Sequence, residues 1–512
     1  MAQLIVPDYG QQFLLPPALE DWVGKDHPVR FLREFVDQLD LASLGFAMPQ
    51  GEEGRPAYAP GLLLKIWLYG YLHRVRSSRK LEAACREHIS LVWLTANIAP
   101  DHNTLWRFWR DNKQALRELF KKSVQLALNQ KLVGMVLQAL DGTKIQALAS
   151  GESAWSKDKM HKLLAALDRQ LDETEQGLEQ EGPAQPDSGY RLPKTLQERQ
   201  ALREAVQAGL KQLEQDGRRH YHPKEPQARR MKCRDKGTPF AYNAQAVVDQ
   251  SHGVVVAAEV TVEETDSEQL TPMVQQAQQN TGATSPVLTV ADGAYGTGPQ
   301  IAEAAAQNLN VVVRPLEGGA TKNNGYSGRD FKYDPVQQSV TCPQHQQLDD
   351  GGQAQQKGHW IRKYRCHVAD CPVAQLCKDA KGRRVIEIWP HTAAVQAMRQ
   401  RLSQPEAQQQ LAKRRQIIER HFGHIKQHDG FRRWTLGGLE NVRTQWALLN
   451  LVMNLRVLYR AWRNRQAGSD PRKCRGKAGP GVFGRYPWVA SVLPPARVCP
   501  QHRWRVFCAR RF

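Results

Sequence analysis

The chain has 512 residues, 71 Lys and Arg against 51 Asp and Glu, a formal net charge of +20 and 41% hydrophobic residues. Its length predicts two or three folded domains, and its composition excludes a fibrous or wholly disordered protein. No run reaches the roughly 18 apolar residues of a membrane span, the best candidate at 61–72 being short and holding Lys65, and no basic cluster precedes the first apolar run at the N-terminus. The expectation is a cytoplasmic protein whose nine cysteines are thiols or metal ligands. Charge is unevenly spread: residues 55–122 carry 13 basic and 5 acidic side chains, 123–409 balance at 33 each, 410–466 carry 12 and 3, and 467–512 carry 10 and 1. Separate basic blocks around a neutral middle suggest a polyanion gripped at more than one place.

In chain order, residues 1–130 read as an all-helical domain. Apolar spacing predicts helices over 27–44, 61–72, 78–88 and 103–129, with Asp101 to Thr104 supplying capping chemistry to the last. The turn before Ser78 and the start of the next helix carry Arg74, Arg76, Arg79 and Lys80, which suits a helix-turn-helix docked on DNA. An apolar strand at 133–140 then ends in Asp141-Gly142-Thr143. Two leucine-rich stripes within 152–218 predict an inserted helical hairpin. Strands at 240–248 and 253–262 form a hairpin, a helix spans 267–279, and the strand 287–290 ends in Ala291-Asp292-Gly293. This alternation predicts an α/β core over 131–466. Residues 317–392 read as a small Cys-rich β insertion, helices fill 394–465, and the aperiodic basic segment 467–512 is expected to be a disordered or appended tail.

Asp141 and Asp292 each follow an apolar strand and precede a glycine. Hard carboxylate oxygens at strand ends suit a divalent ion such as Mg²⁺, and the glycine is expected to leave space for substrate. A third acid, Glu419, lies on a helix predicted at 411–430. At about 100° per residue, Arg415, Glu419 and Lys426 fall on one edge of it, beside the apolar stripe Ile418, Phe422 and Ile425. A carboxylate flanked by cations fits a metal site that handles phosphates. Asp266 and Glu440 are further acids, either of which could neighbour the site; Asp266, at a helix start, reads more readily as a cap, and Glu440 as structural.

Asp141-Gly142-Thr143, Val290-Ala291-Asp292 and Arg415 with Glu419 and Lys426 resemble the DDE transposases of bacterial insertion sequences, with Ala412 where a Tyr usually opens the last motif. Gly54-Arg55-Pro56, the run 76–82, Pro100-Asp101-His102, Tyr242-Asn243-Ala244-Gln245 and Gly437-Gly438-Leu439-Glu440 extend the resemblance over about 20–460. It implies an RNase H-like mixed sheet flanked by helices, with Asp141, Asp292 and Glu419 holding two Mg²⁺ or Mn²⁺ ions. It further implies cleavage of double-stranded DNA at the element's ends, joining to target DNA, phosphate contacts from Arg415 and Lys426, and a dimer in the end-joining complex. The competing reading is a regulator or decayed element that binds DNA without cutting it. Cys342, Cys366, Cys371 and Cys377, or a mixed set with His345, are candidates for a structural zinc.

Overall fold

The computed structural model describes residues 18–49, 56–149, 151–175, 195–233, 237–316, 325–368, 371–377 and 383–468. The tail expected at 467–512 lies outside these from residue 469 onward, as does the tip of the helical hairpin.

The N-terminal region is helical: α1 (Pro28–Asp37), α2 (Pro60–Leu72), α3 (Ser78–Glu87), α4 (Ile89–Leu94), α5 (His102–Asp111) and α6 (Lys113–Asn129). Helix α2 is apolar nearly all round and sits inside the bundle, with Leu64, Ile66, Trp67, Leu68, Tyr69 and Tyr71 buried. The helix expected at 27–44 stops at Asp37, and the one expected at 103–129 is two helices. Asn112 breaks it because its side chain competes for backbone: Nδ2 donates to Phe108 O at 2.8 Å, and Oδ1 accepts from Ala47 N at 2.7 Å.

A mixed sheet follows, built on β1 (Leu137–Gln146), β2 (Phe240–Asp249), β3 (Val255–Thr261), β4 (Leu288–Ala291) and β5 (Val311–Val312). The spatial order is β3-β2-β1-β4-β5, with an extra two-residue edge strand, Arg229–Arg230, on β2. Pairing is antiparallel among β1, β2 and β3 and parallel from β1 through β4 to β5. All ten residues of β2 are buried, as expected for a strand covered on both faces. The strand expected at 133–140 runs instead from 137 to 146, so Asp141 lies in mid-strand.

Helices α7 (Lys157–Glu175) and α8 (Leu196–Gln215) pack on each other around a core of their own, including Met160, Leu167, Val206 and Leu213. Helices α9 (Leu270–Thr281) and α10 (Gly298–Ala306) alternate with the last core strands. The Cys-rich stretch forms an antiparallel sheet, β6 (Asp349–Gln356), β7 (His359–Cys366) and β8 (Arg384–Ile388), over a separate cluster of Phe331, Val340, Tyr364 and Ile386. The chain then returns through α11 (Thr392–Ser403), α12 (Pro405–Gly423) and α13 (Leu439–Gly468).

Helix α13 joins the two halves. One contiguous apolar core takes in Leu32, Trp67 and Leu116 of the helical region, Leu140 and Val247 of the sheet, and Trp446 and Leu455 of α13. The boundary expected at residue 130 is therefore not a break in the core. Buried Asn454 shows how the joint is built: Oδ1 accepts from Val255 N at 2.8 Å, and Nδ2 donates to Val255 O at 2.9 Å and to Ser123 Oγ of α6 at 3.1 Å. At about 1 kcal/mol net each, three such bonds are a substantial local clamp.

Candidate active site

Parallel pairing of β1 and β4 sets Leu140 opposite Ala291, so the next residue of each strand is an acid. Asp141 and Asp292 thus leave the same end of the β1–β4 pair as neighbours, although β1 itself continues along β2. Helix α12 packs across β1, β2 and β4 and sends Arg414 into the gap. Its Nη1 donates to Asp141 Oδ2 at 2.7 Å and its Nη2 to Asp292 Oδ2 at 3.2 Å, so one guanidinium bridges both carboxylates. Burial raises the Asp141 carboxyl above its usual range, and Asp292 adds to this, while Arg414 and the Gly142 N–H oppose it. The Arg414 side chain is 11% exposed. The signal for it was its spacing: it precedes Ile418 by four residues, an arginine on the buried stripe of an otherwise cation-rich helix.

Behind Asp141 lies a compact polar network. Tyr295 Oη donates to Gln245 Oε1. Gln245 Nε2 and Asn243 Nδ2 each donate to Asp266 Oδ1 at 2.7 Å. A Cβ on Gly142 would stand 2.4 Å from Gln245 Nε2 and 2.7 Å from Asp266 Oδ1. The glycine therefore makes room for these side chains, correcting the expectation that it clears space for substrate. Asp266 is likewise no helix cap; it accepts from the amides of β2. Asn243 and Gln245 were legible as a pair, since two residues apart on a strand they share a face.

Ile418, Phe422 and Ile425 are buried as their stripe predicts, and Glu419 is exposed on α12, pairing with Arg415 at 3.9 Å. Lys426 lies beyond α12, which ends at Gly423, in a π-turn, His424–His428, to which the 100° step that set it beside Arg415 and Glu419 does not apply. Glu440 pairs with Arg117 and Arg443, a structural role.

Of the four cations expected to face DNA from the α2–α3 turn and the start of α3, Arg79 and Lys80 are exposed. Arg74 and Arg76 are engaged within the chain: Arg74 Nη2 lies 3.1 Å from His428 Nδ1, and Arg76 donates to Asp429 O at 2.9 Å and sits over the Phe431 ring. The α2–α3 turn thus docks the helical region onto the segment after α12. Asp429 is buried there, with Arg456 donating to its two carboxylate oxygens at 2.8 and 2.9 Å.

Among the described residues, His424, His428 and Asp429 are a trio with ligand atoms all within 4.8 Å of one another. Arg456 already neutralises this group and also lies 2.6 Å from His424 Nε2, which argues against a cation there. Neither Asp141, Asp292 and Glu419 nor any three of the candidate zinc cysteines meet that distance. The cysteines nevertheless gather in the small β unit. Cys342 Sγ accepts from Gln344 N at 3.3 Å and Gln346 N at 3.4 Å, and burial pushes the Cys377 thiol up, with Cys366, Cys371 and Cys342 adding to the effect.

Paired carboxylates that already hold a cation, on a mixed sheet with a cation-rich helix above, define a candidate enzyme centre for an anionic substrate. Two family models narrow the class: a transposase domain (DUF772) matches residues 17–111, and a transposase DDE domain matches 341–459. In this order they support an insertion-sequence DDE transposase. The second match takes in Glu419, while Asp141 and Asp292 precede it. A DDE domain implies a divalent metal, typically Mg²⁺, and the transposase matches imply a DNA substrate. No curated protein matches the chain. Among the described residues no helix is long and apolar enough to cross a membrane.

Proposed function

We propose that the chain binds insertion-sequence ends as double-stranded DNA and catalyses metal-dependent strand cleavage and strand transfer on an RNase H-like core. The observation that carries this reading is the register that makes Asp141 and Asp292 neighbours, with one guanidinium held between them. The sheet order β3-β2-β1-β4-β5, antiparallel on one side of β1 and parallel on the other, supports the RNase H-like assignment.

The acid pair fits a divalent ion: Arg414 is a cation bound to both acids, and carboxylate oxygens are the hard donors that Mg²⁺ or Mn²⁺ prefer. Asp141 and Asp292, joined by Glu419 from α12, would hold two ions, which supply charge neutralisation at phosphorus and an activated attacking oxygen. In hydrolysis a water oxygen bonds to phosphorus and the 3′-oxygen leaves, taking up a proton. In joining, that 3′-hydroxyl bonds to a target phosphorus and the target's 3′-oxygen leaves. Arg415 and Lys426 would hold phosphates beside the cut, in a salt-dependent and sequence-independent way. The network of Asn243, Gln245, Asp266 and Tyr295 keeps the strand under Asp141 fixed. Joining two ends calls for a dimer during the reaction. A structural zinc on Cys342, Cys366, Cys371 and Cys377 would draw four thiols of the small β unit together.

The test uses full-length protein and a plasmid carrying the DNA that flanks its gene. Wild type with Mg²⁺ should cut at the flanks and yield joined products, and Glu419→Gln should bind the same DNA and do neither. Cut DNA with no joined product would reduce the protein to a nuclease. Binding without cutting by wild type would make it a regulator or decayed element.

A further inference from the structure

We infer that α5 is the helix that reads base sequence in the major groove of duplex DNA, through Asn103, Trp106, Arg107 and Arg110. The inference rests on the reading above that the chain binds DNA, and it assigns sequence recognition to a face that no expected DNA-contacting residue occupies.

Helix α5 is anchored by one face and open on the other. Leu105, Phe108 and Trp109 are buried, and the Trp109 ring lies 4.8 Å from that of Trp67 in α2. Asn103, Trp106, Arg107 and Arg110 are all exposed and fall within an arc of about 100°. From Asn103 to Arg110 the helix rises about 10 Å, the length of about three base steps. Asn and Arg are the side chains whose paired donors and acceptors match adenine and guanine edges in the major groove, and an exposed indole offers apolar contact to a thymine methyl.

Charge around the face favours a polyanion. Asp101 caps the helix, accepting from Asn103 N and Thr104 N. Glu82 of α3 accepts from His102 N at 3.0 Å and pairs with Arg86. Asp111 pairs with Arg110 at 2.7 Å on the exposed surface, so Arg110 must exchange this partner for a base edge. The carboxylates nearest α5 in sequence and contact are thus each committed, and Arg107 makes no hydrogen bond or ion pair among the described residues. Arg79 and Lys80 lie exposed on α3, which packs against α5, and suit flanking phosphates. The alternative reading element, the α2–α3 turn, is occupied by its docking on His428, Asp429 and Phe431.

The test is selection from a library of randomised short duplexes with the full chain in EDTA, so that nothing is cut, followed by sequencing of the bound fraction. Wild type should enrich a motif. Asn103→Ala with Arg107→Ala should erase preference at two or three adjacent positions and weaken binding to the enriched site by about 10-fold or more, with an unchanged melting temperature. Arg79→Ala with Lys80→Ala should weaken all duplexes alike and keep the motif. Enrichment of the wild-type motif by the α5 variant would overturn the inference, as would a wild type that binds duplex without enriching any motif; both leave DNA binding standing. No duplex binding at all would overturn the DNA-binding reading as well.

Discussion

Two of the places where this molecule brings aspartate and arginine together, Asp429 and the β1–β4 end, differ in how completely the charges are answered. At Asp429 the carboxylate is 3% exposed, receives two hydrogen bonds from Arg456, has His428 at 3.0 Å, and carries Arg76 on its backbone oxygen. At the β1–β4 end one arginine serves two acids, and Asp292 remains 53% exposed. The first arrangement is electrostatically closed and joins the helical region to the rest. The second keeps an unanswered negative charge at an open strand end, which is what a cation-dependent site needs.

The largest way to break this contrast is Arg456→Leu. It strands a buried carboxylate and should cost about 3 kcal/mol of unfolding free energy in urea titration; a loss under about 0.5 kcal/mol would mean that Asp429 is no lock. Next comes acid. Burial holds His421, on the inner side of α12, down at about 4, against 6.5 when unfolded. Between those values the unfolded chain binds a proton that the folded chain refuses, so stability falls as pH drops through that window. From pH 7 to 5 this one histidine should contribute a loss of about 2 kcal/mol, and His421→Asn should flatten that part of the profile.

Smaller effects should mark the open site. Arg414→Gln removes the cation that competes for both acids, and Mn²⁺ binding followed by electron paramagnetic resonance should tighten about fivefold, about 1 kcal/mol. Unchanged or weaker binding would show that Arg414 does not share the ion's place. The two aspartates also differ in sign. Burial works against Asp429, but hydrogen bonds from Arg456 and His428 outweigh it, so its carboxyl is held low; its stabilisation persists until pH falls below the ordinary carboxylate range. Asp141 is raised by burial, so its contribution is present in acid and lost as pH rises through its folded value. Asp141→Asn should therefore leave stability at pH 7 equal to wild type or higher by less than about 1 kcal/mol, whereas an Asp429 variant should lose it.

Much of this was legible because it is local. Apolar runs marked the core strands, the glycine and acid after Val290 marked a strand end, and the leucine stripes at 160–171 and 202–213 marked two helices that bury their own face. What was not legible depends on partners distant in sequence. Asp141 looked terminal because the apolar run stops at Leu140, but pairing with β2 carries the strand on to Gln146. Charge alone did not say that Arg74 and Arg76 have partners, His428 and Asp429, more than 350 residues away. Lys426 sits in a π-turn, which no side-chain pattern announces. Arg414 hid among three consecutive cations, and only packing on the sheet singles it out. The Cys-rich unit was legible as a cluster, not as a ligand geometry.

The open site is tested most directly at Asp292, because its side chain is more than half exposed and its loss cannot be mistaken for unfolding. Asp292→Asn should melt with wild type, bind DNA with wild-type affinity, and cleave it in Mg²⁺ at least about 100-fold more slowly. Cleavage at the wild-type rate by a folded Asp292→Asn protein would contradict the assignment of this acid pair as the catalytic centre.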